Sequence, residues 1–272
     1  MGFGWSESTG FVLKSVMGVA IIEKKQIRER NGSMKQTAIL FDIDDTLYDQ
    51  VVPFGKAVKK VFPGFVGASD ETLFKRRAYH SEVSFRMNNN GQMTMQEMYR
   101  YRVQKTFAEF GLEVSDEDAM AFQVAYEESQ GQLELSSTME QMLDDCKERG
   151  VILGIISNGP ADHQMEKART MQMSRWIPEE WTIVSGAVGI LKPDVRIFRL
   201  TEERMGLDPE TMDIWYVGDS FPNDMVGAAG AGWKTIWLNR RGKSVPEGTI
   251  VPDMVVNNDE ELYHAIQGLL GD

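Results

Sequence analysis

Apolar residues in this chain fall into short unbroken runs and longer amphipathic stretches, and the two kinds alternate. Three runs rich in Val and Ile stand out: "AILF" ending at Asp42, "VILGIIS" ending at Ser157 and "DIWYVGD" ending at Asp219. "WTIVSG" near 181–186, "KTIWLN" near 234–239 and "PDMVV" near 252–256 are weaker. Runs without polar alternation suit strands buried on both faces of a parallel sheet. Helical patterns lie between them. Thr138 with Gln141 has the spacing of a capping box, and Met139, Met142, Leu143 and Cys146 form a stripe that Gly150 can end. Pro193 suits a first helical turn and Gly206 the end of "PDVRIFRLTEERMG". This alternation predicts an α/β fold: a Rossmann-like open parallel sheet with helices on both faces. Ligands of such sheets bind at the carboxyl ends of the strands, where Asp42, Ser157 and Asp219 fall.

From about 53 to 135 the alternation stops. Thr94 and Glu97 form a capping box opening a helix that Gly111 can close, with Met95, Tyr99, Val103, Phe107 and Phe110 along it. Ser115 opens the next, with Ala119, Phe122 and Tyr126 on one side. The stretch reads as an all-helical cap inserted after the first strand. The expected organisation is an N-terminal extension at 1–33, a catalytic core of 34–52 and 136–272, and a cap at 53–135. The apolar stretch "FVLKSVMGVAII" in the extension is interrupted by Lys14, has Glu7 before it and lacks a small-residue cleavage pattern, so it does not read as a secretory leader.

Charge and cysteine content narrow the partners. A net charge of -12 over 272 residues disfavours non-specific contact with nucleic acid or an anionic membrane. No uninterrupted apolar run is long enough to span a bilayer. Cys146 is the only cysteine, which excludes an intrachain disulfide and fits a reducing, cytoplasmic setting. His80, His163 and His264 have no metal-ligand spacing.

Chemistry concentrates in four segments at strand ends or helix starts: Asp42 with Asp44, Ser157, Lys192, and Asp219 with Asp224. Carboxylates crowded at the end of an apolar strand require a compensating cation. Hard oxygen donors around one point suit Mg²⁺, which keeps waters and engages phosphate.

In order, "FDIDDTLYD", "IISNG", "LKPD" and "VGDSFPND" resemble the motifs of the haloacid dehalogenase-like (HAD) hydrolase superfamily. The nearest likeness is to phosphatases with a helical cap after the first motif, such as pyrimidine 5′-nucleotidases and phosphoglycolate phosphatases. The resemblance implies a Mg²⁺-dependent phosphomonoester hydrolase acting on a small phosphorylated metabolite. It makes Asp42 the nucleophile and Asp44 the general acid and then base, kept protonated at first by the crowded acidic site. It makes Lys192 the neutralising cation, and gives contacts to phosphate to Ser157, to backbone N–H groups near Asn158 and Gly159, and to Thr46. Asp42, the Asp44 carbonyl and Asp219 would hold the metal, with Asp224 supporting it. Asp45 is left a turn or capping role.

Dehalogenases and phosphonate hydrolases of this superfamily do not need the second acid, so Asp44 speaks against both. A phosphotransferase or mutase, or a non-catalytic binding protein on the same fold, stays as an alternative. In the cap, His80, Arg86 and Asn88 in "HSEVSFRMNNNGQMT" are candidates to reach a sugar or base, and Phe54 to stack on one. The expected substrates are, in order, a nucleoside monophosphate, a sugar phosphate and phosphoglycolate.

Overall fold

A computed structural model describes residues 35–271 of the chain. The expected extension at 1–33 and the opening of the core at Met34 lie outside the described residues. Six strands form one sheet in the order β3-β2-β1-β4-β5-β6: β1 (Gln36–Phe41), β2 (Ile152–Ser157), β3 (Thr182–Val184), β4 (Met212–Gly218), β5 (Lys234–Leu238) and β6 (Met254–Val256). The ladders β1–β2, β2–β3, β4–β5 and β5–β6 are all parallel. Strand order reverses between β1 and β4, and the crevice at such a reversal is the ligand position of an open sheet.

The unbroken apolar runs are strands because both faces of the sheet are covered. Successive residues of β1 point to opposite sides, and they divide accordingly. Ile39 and Phe41 join Trp215, Val217, Ile236 and Leu238 in one core. Ala38 and Leu40 join Ile214, Tyr216 and Trp237 in the other. Helices α5 (Ser137–Glu148) and α10 (Asp259–Leu270) add Met139, Leu143, Leu262 and Ile266 to the first core. Helix α8 (Val195–Met205) adds Ile197 and Phe198 to the second.

Two expected helix starts are displaced. Ser136 caps α5, its hydroxyl oxygen accepting from the Met139 N–H at 3.1 Å. Thr138 is thereby already inside the first turn, and the Thr138–Gln141 box does not form. Asp194 caps α8 through the Arg196 N–H, so Pro193 precedes the cap. Gly206 ends α8 with φ of 66°, a conformation that suits glycine.

Between β1 and β2 run α1 (Val51–Val61), α2 (Asp70–Asn89), α3 (Met95–Ala108) and α4 (Asp116–Gln130), followed by α5. The Thr94–Glu97 capping box and the Ser115 cap both form. These four helices enclose an aromatic core of their own. Phe54 sits at its centre, fully buried and edge-on to Phe74 and Phe122 at 5.5 and 5.4 Å between ring centroids. Phe54 is therefore not available to stack on a base. Met95, placed in the expected stripe, is exposed; Met98, Val103 and Phe107 carry the burial.

Truncating Phe54 removes a ring packed on all sides. Phe54→Ala is expected to cost about 3–5 kcal/mol, read as a lowered denaturant midpoint; an unchanged midpoint would contradict the packing.

Candidate active site

The ends of β1 and β4 are held together where Asp42 donates its N–H to the Val217 carbonyl at 2.9 Å. That contact sets Asp42 beside the turn following β4, which carries Asp219 and Asp224. Asp224 folds back so that its Oδ2 accepts from the Ser220 N–H at 2.9 Å. It can do so because residue 218 is glycine: a Cβ there would stand 2.3 Å from Asp224 Oδ2.

Lys192 enters this acidic pocket from the segment after α7 (Ser185–Val188). Its ammonium donates to Asp42 Oδ1 and Asp224 Oδ1, both at 2.7 Å, and to the Ile156 carbonyl and the Tyr216 hydroxyl, both at 2.9 Å. Tyr216 in turn donates to the same Ile156 carbonyl at 2.6 Å. Buried charges are tolerated when paired and hydrogen-bonded in this way. Burial alone would lower the Lys192 pKa, but Asp224 and Asp42 hold it well above its ordinary value. Burial raises Asp42 to about 6, with the charges of Asp224 and Asp44 adding and Lys192 opposing.

Asp44 has a separate set of partners. Lys167 on α6 (Ala161–Thr170) donates to both its oxygens, at 2.7 and 2.9 Å. Gln164, one turn earlier, donates to Oδ2 at 2.8 Å, and the Tyr48 hydroxyl donates to Oδ1. Burial would raise this carboxyl, yet the Lys167 charge and these hydrogen bonds hold it below its ordinary value. Crowding was expected to keep Asp44 protonated. The structure puts that effect on Asp42 and Asp219, because Lys167 neutralises Asp44.

Ser157 lies at the end of β2, its hydroxyl oxygen accepting from Gln164 Nε2 at 2.9 Å. The Asn158 side chain has a structural task. Its amide oxygen accepts from the Lys192 N–H at 2.9 Å and its amide N–H donates to the Lys192 carbonyl at 3.0 Å. Both ends of the side chain are occupied in positioning Lys192. Thr46 is fully buried, and its hydroxyl has no partner among the described residues. Asp45 adopts φ of 59° and is gripped by Arg241 through Nη2 at 2.7 Å and Nε at 3.2 Å, consistent with a turn role.

Oxygens of Asp42, Asp219 and Asp224 lie within 4.8 Å of one another. Burial raises Asp219 to about 8, the neighbouring charges of Asp224, Asp45 and Asp42 adding and Lys243 opposing. Three hard carboxylate donors, one of them this strained as an anion, fit a divalent cation. The Asp44 carboxylate is not part of this cluster; it is taken up by Lys167, Gln164 and Tyr48.

A cavity of about 490 Å³ opens beside Asp219, lined also by Asp45, Arg241 and Lys243 and by Phe74, Lys75, Arg77 and Ser81 of α2. None of the cap candidates faces it. His80 is bonded to Glu109 Oε1 at 2.7 Å, Arg86 is an exposed partner of Glu82, and Asn88 closes a turn onto the Met93 carbonyl. Sequence reasoning passed over Gln164, Lys167, Tyr216 and the Arg240–Arg241 pair. A signal existed for some of them: Gln164 and Lys167 sit one turn apart on the helix after "SNGP", and "RRGK" follows the carboxyl end of β5.

Residues 36–232 match the family model of the haloacid dehalogenase-like hydrolases. The chain belongs to that family. A glyceraldehyde 3-phosphate phosphatase of Methanothermobacter thermautotrophicus is 30% identical over 204 residues, covering 74% of this chain and 85% of that protein. An (S)-2-haloacid dehalogenase of Pseudomonas putida is 27% identical over 226 residues, covering 82% and 93%. The solved structure of the HAD-hydrolase YfnB of Bacillus subtilis, bound to magnesium, has the same fold. Its TM-score is 0.61 at 24% identity, over 86% of this chain and 99% of that one. No helix among the described residues is long and apolar enough to cross a membrane.

The raised Asp219 carboxyl has a measurable consequence in metal-free protein. Its folded pKa of about 8 exceeds the ordinary aspartate value of 3.8, so the folded state binds the extra proton and loses stability as pH rises between those values. In chelator, the melting temperature of Asp219→Asn relative to wild type is expected to climb from pH 5 to pH 8. A constant or falling difference would contradict the shift.

Proposed function

We propose that this HAD hydrolase is a Mg²⁺-dependent phosphomonoesterase for a small phosphorylated metabolite, working through an aspartyl-phosphate on Asp42. The observation that carries this reading is the second acid: Asp44 stands apart from the Lys192 cluster with its own hydrogen-bonded setting of Lys167, Gln164 and Tyr48. A dehalogenase, the activity named for the Pseudomonas relative, attacks carbon and has no leaving alcohol for such an acid to protonate. The name of the Methanothermobacter relative supports the phosphatase side.

In this reading one Asp42 oxygen is fixed by Lys192 while the other attacks phosphorus, dividing one difficult displacement into two easier steps. Lys192 holds Asp42 ionised. Ser157, which accepts from Gln164, turns its own hydrogen toward a phosphoryl oxygen. Asp44 starts ionised, and the incoming phosphate places like charge beside it, raising its pKa so that proton uptake accompanies binding. It then protonates the leaving oxygen, and as the base it takes a proton from the water that attacks the phosphoenzyme. Mg²⁺ held by Asp42 and Asp219, with Asp224 behind them, would supply charge neutralisation at the phosphoryl group.

The helices between 53 and 135 act as the cap that covers the cavity. With His80, Arg86, Asn88 and Phe54 placed elsewhere, a short phosphate ester is favoured over a nucleotide. The net charge of -12 supports a small-molecule substrate over nucleic acid or membrane. The unpaired, buried Cys146 supports a cytoplasmic setting.

Phosphate release from sugar phosphates, nucleotides and p-nitrophenyl phosphate, with Mg²⁺ or with chelator, tests the reading. Metal-dependent release that Asp42→Asn lowers at least a thousandfold is expected. Release unaffected by exhaustive chelation would overturn the metal role, and no release from any ester would overturn the phosphatase reading. Asp44→Asn is expected to slow alkyl esters at least tenfold more than p-nitrophenyl phosphate, whose leaving group needs little protonation. Equal losses would remove Asp44 as the acid.

A further inference from the structure

Two polar atoms of α2, one helical turn apart, are buried without a hydrogen-bond partner among the described residues: Arg77 Nε and Ser81 Oγ. Both side chains line the cavity that contains Asp219. Arg77 is 7% exposed. It lies against aromatic faces, its guanidinium carbon 4.7 Å from the Tyr126 ring centroid and 5.8 Å from that of Phe54. Burial lowers its pKa, and the groups that oppose this are the phenols of Tyr126 and Tyr48, with no carboxylate among them. Its neighbour Arg76 does have such a partner, Glu109.

A buried cation left without a carboxylate costs stability, and one facing a cavity is a place where a ligand can supply the missing charge. The cavity as a whole has the same bias. Its lining carries four cationic side chains, Lys75, Arg77, Arg241 and Lys243, against two acids, Asp45 and Asp219. Lys75, Arg241 and Lys243 have carboxylate partners in Glu71, Asp45, Asp49 and Asp219, which leaves Arg77 the lining cation with none among the described residues. Arg102, a second buried cation of these helices, is lowered to about 9, by burial first and by the charge of Arg77 second. The stacked guanidinium is already oriented, and its planar fork matches a carboxylate or phosphate.

We propose that Arg77, assisted by Ser81, binds a second anionic group of the substrate, a carboxylate or a second phosphate, while the phosphoryl group to be cleaved sits at Asp42. The proposal rests on the phosphatase reading for the second half of that statement. It narrows the substrate class to short acids or bisphosphates carrying two anionic ends. A cavity of about 490 Å³ is of the size that encloses small metabolites.

The test compares esters matched except for the second anion: 3-phosphoglycerate with glycerol 3-phosphate, and fructose 1,6-bisphosphate with fructose 6-phosphate. Wild type is expected to prefer one doubly anionic member at least tenfold in kcat/KM, the first pair reporting a carboxylate and the second a phosphate. In Arg77→Met that ratio is expected to fall at least tenfold, and Arg77→Lys, which keeps charge but loses the fork, to fall between the two. Calorimetric binding of the same four esters to Asp42→Asn protein gives the preference without turnover. Tighter binding of a doubly anionic ester, lost with Arg77→Met added, upholds the anion site even if no ester is hydrolysed, in which case the phosphatase reading falls alone. Hydrolysis with no preference in wild type, or a ratio unchanged in folded Arg77→Met and Arg77→Lys, overturns the anion site and leaves the phosphatase reading standing. Neither binding nor hydrolysis of any of the four overturns both.

Discussion

One ammonium group makes the rest of the site possible. Lys192 is 4% exposed and meets Asp42, Asp224, Tyr216 and the Ile156 carbonyl together. Without it, two buried carboxylates would face each other at the switch point of the sheet, and removing one partner of such a cluster costs about 3–5 kcal/mol. The surrounding structure is arranged around its placement. Asn158 clamps its backbone from both sides, and Gly218 leaves room for Asp224 to fold back. The two acids after β1 are thereby given different cations: Asp42 belongs to the Lys192 cluster and Asp44 to Lys167.

The sheet was legible because its strands are buried on both faces, which leaves unbroken apolar runs that no amphipathic helix shows. The aspartates gathered at the strand ends were legible for a related reason: an acid at the end of such a run has no cheap structural explanation. Helix starts were less readable. Ser136, Thr138 and their neighbours can all cap, and Ser136, which does, also donates its hydroxyl to Asp259, a partner far away in sequence, at 2.5 Å.

Side chains whose meaning comes only from a distant partner were not legible. The Asn158 side chain shows no role until the Lys192 backbone is seen to occupy it. Phe54 looks like a stacking platform until three rings surround it. Lys167 and Arg241 look like solvated surface until they are found against Asp44 and Asp45. In each case one-dimensional pattern fixes the residue type, and the long-range contact that decides its role leaves no local trace. The same limit explains why the helices between β1 and β2 gave the weakest functional reading: their polar stretch is the last part of α2 and the turn after it, while the cavity-facing cation lies earlier in that same helix.

Arg241 joins parts of the molecule that would otherwise be independent. It grips Asp45 and Asp49 in the turn after β1 and, through Nη1, Glu71 at the start of α2 at 2.8 Å. Its bond to Asp45 is buried, whereas the Glu71 side chain is 40% exposed. Dissolved ions screen the exposed arm far more than the buried one. Ionic strength thus acts unequally on the two arms, weakening the hold on α2 more than the hold on the turn after β1.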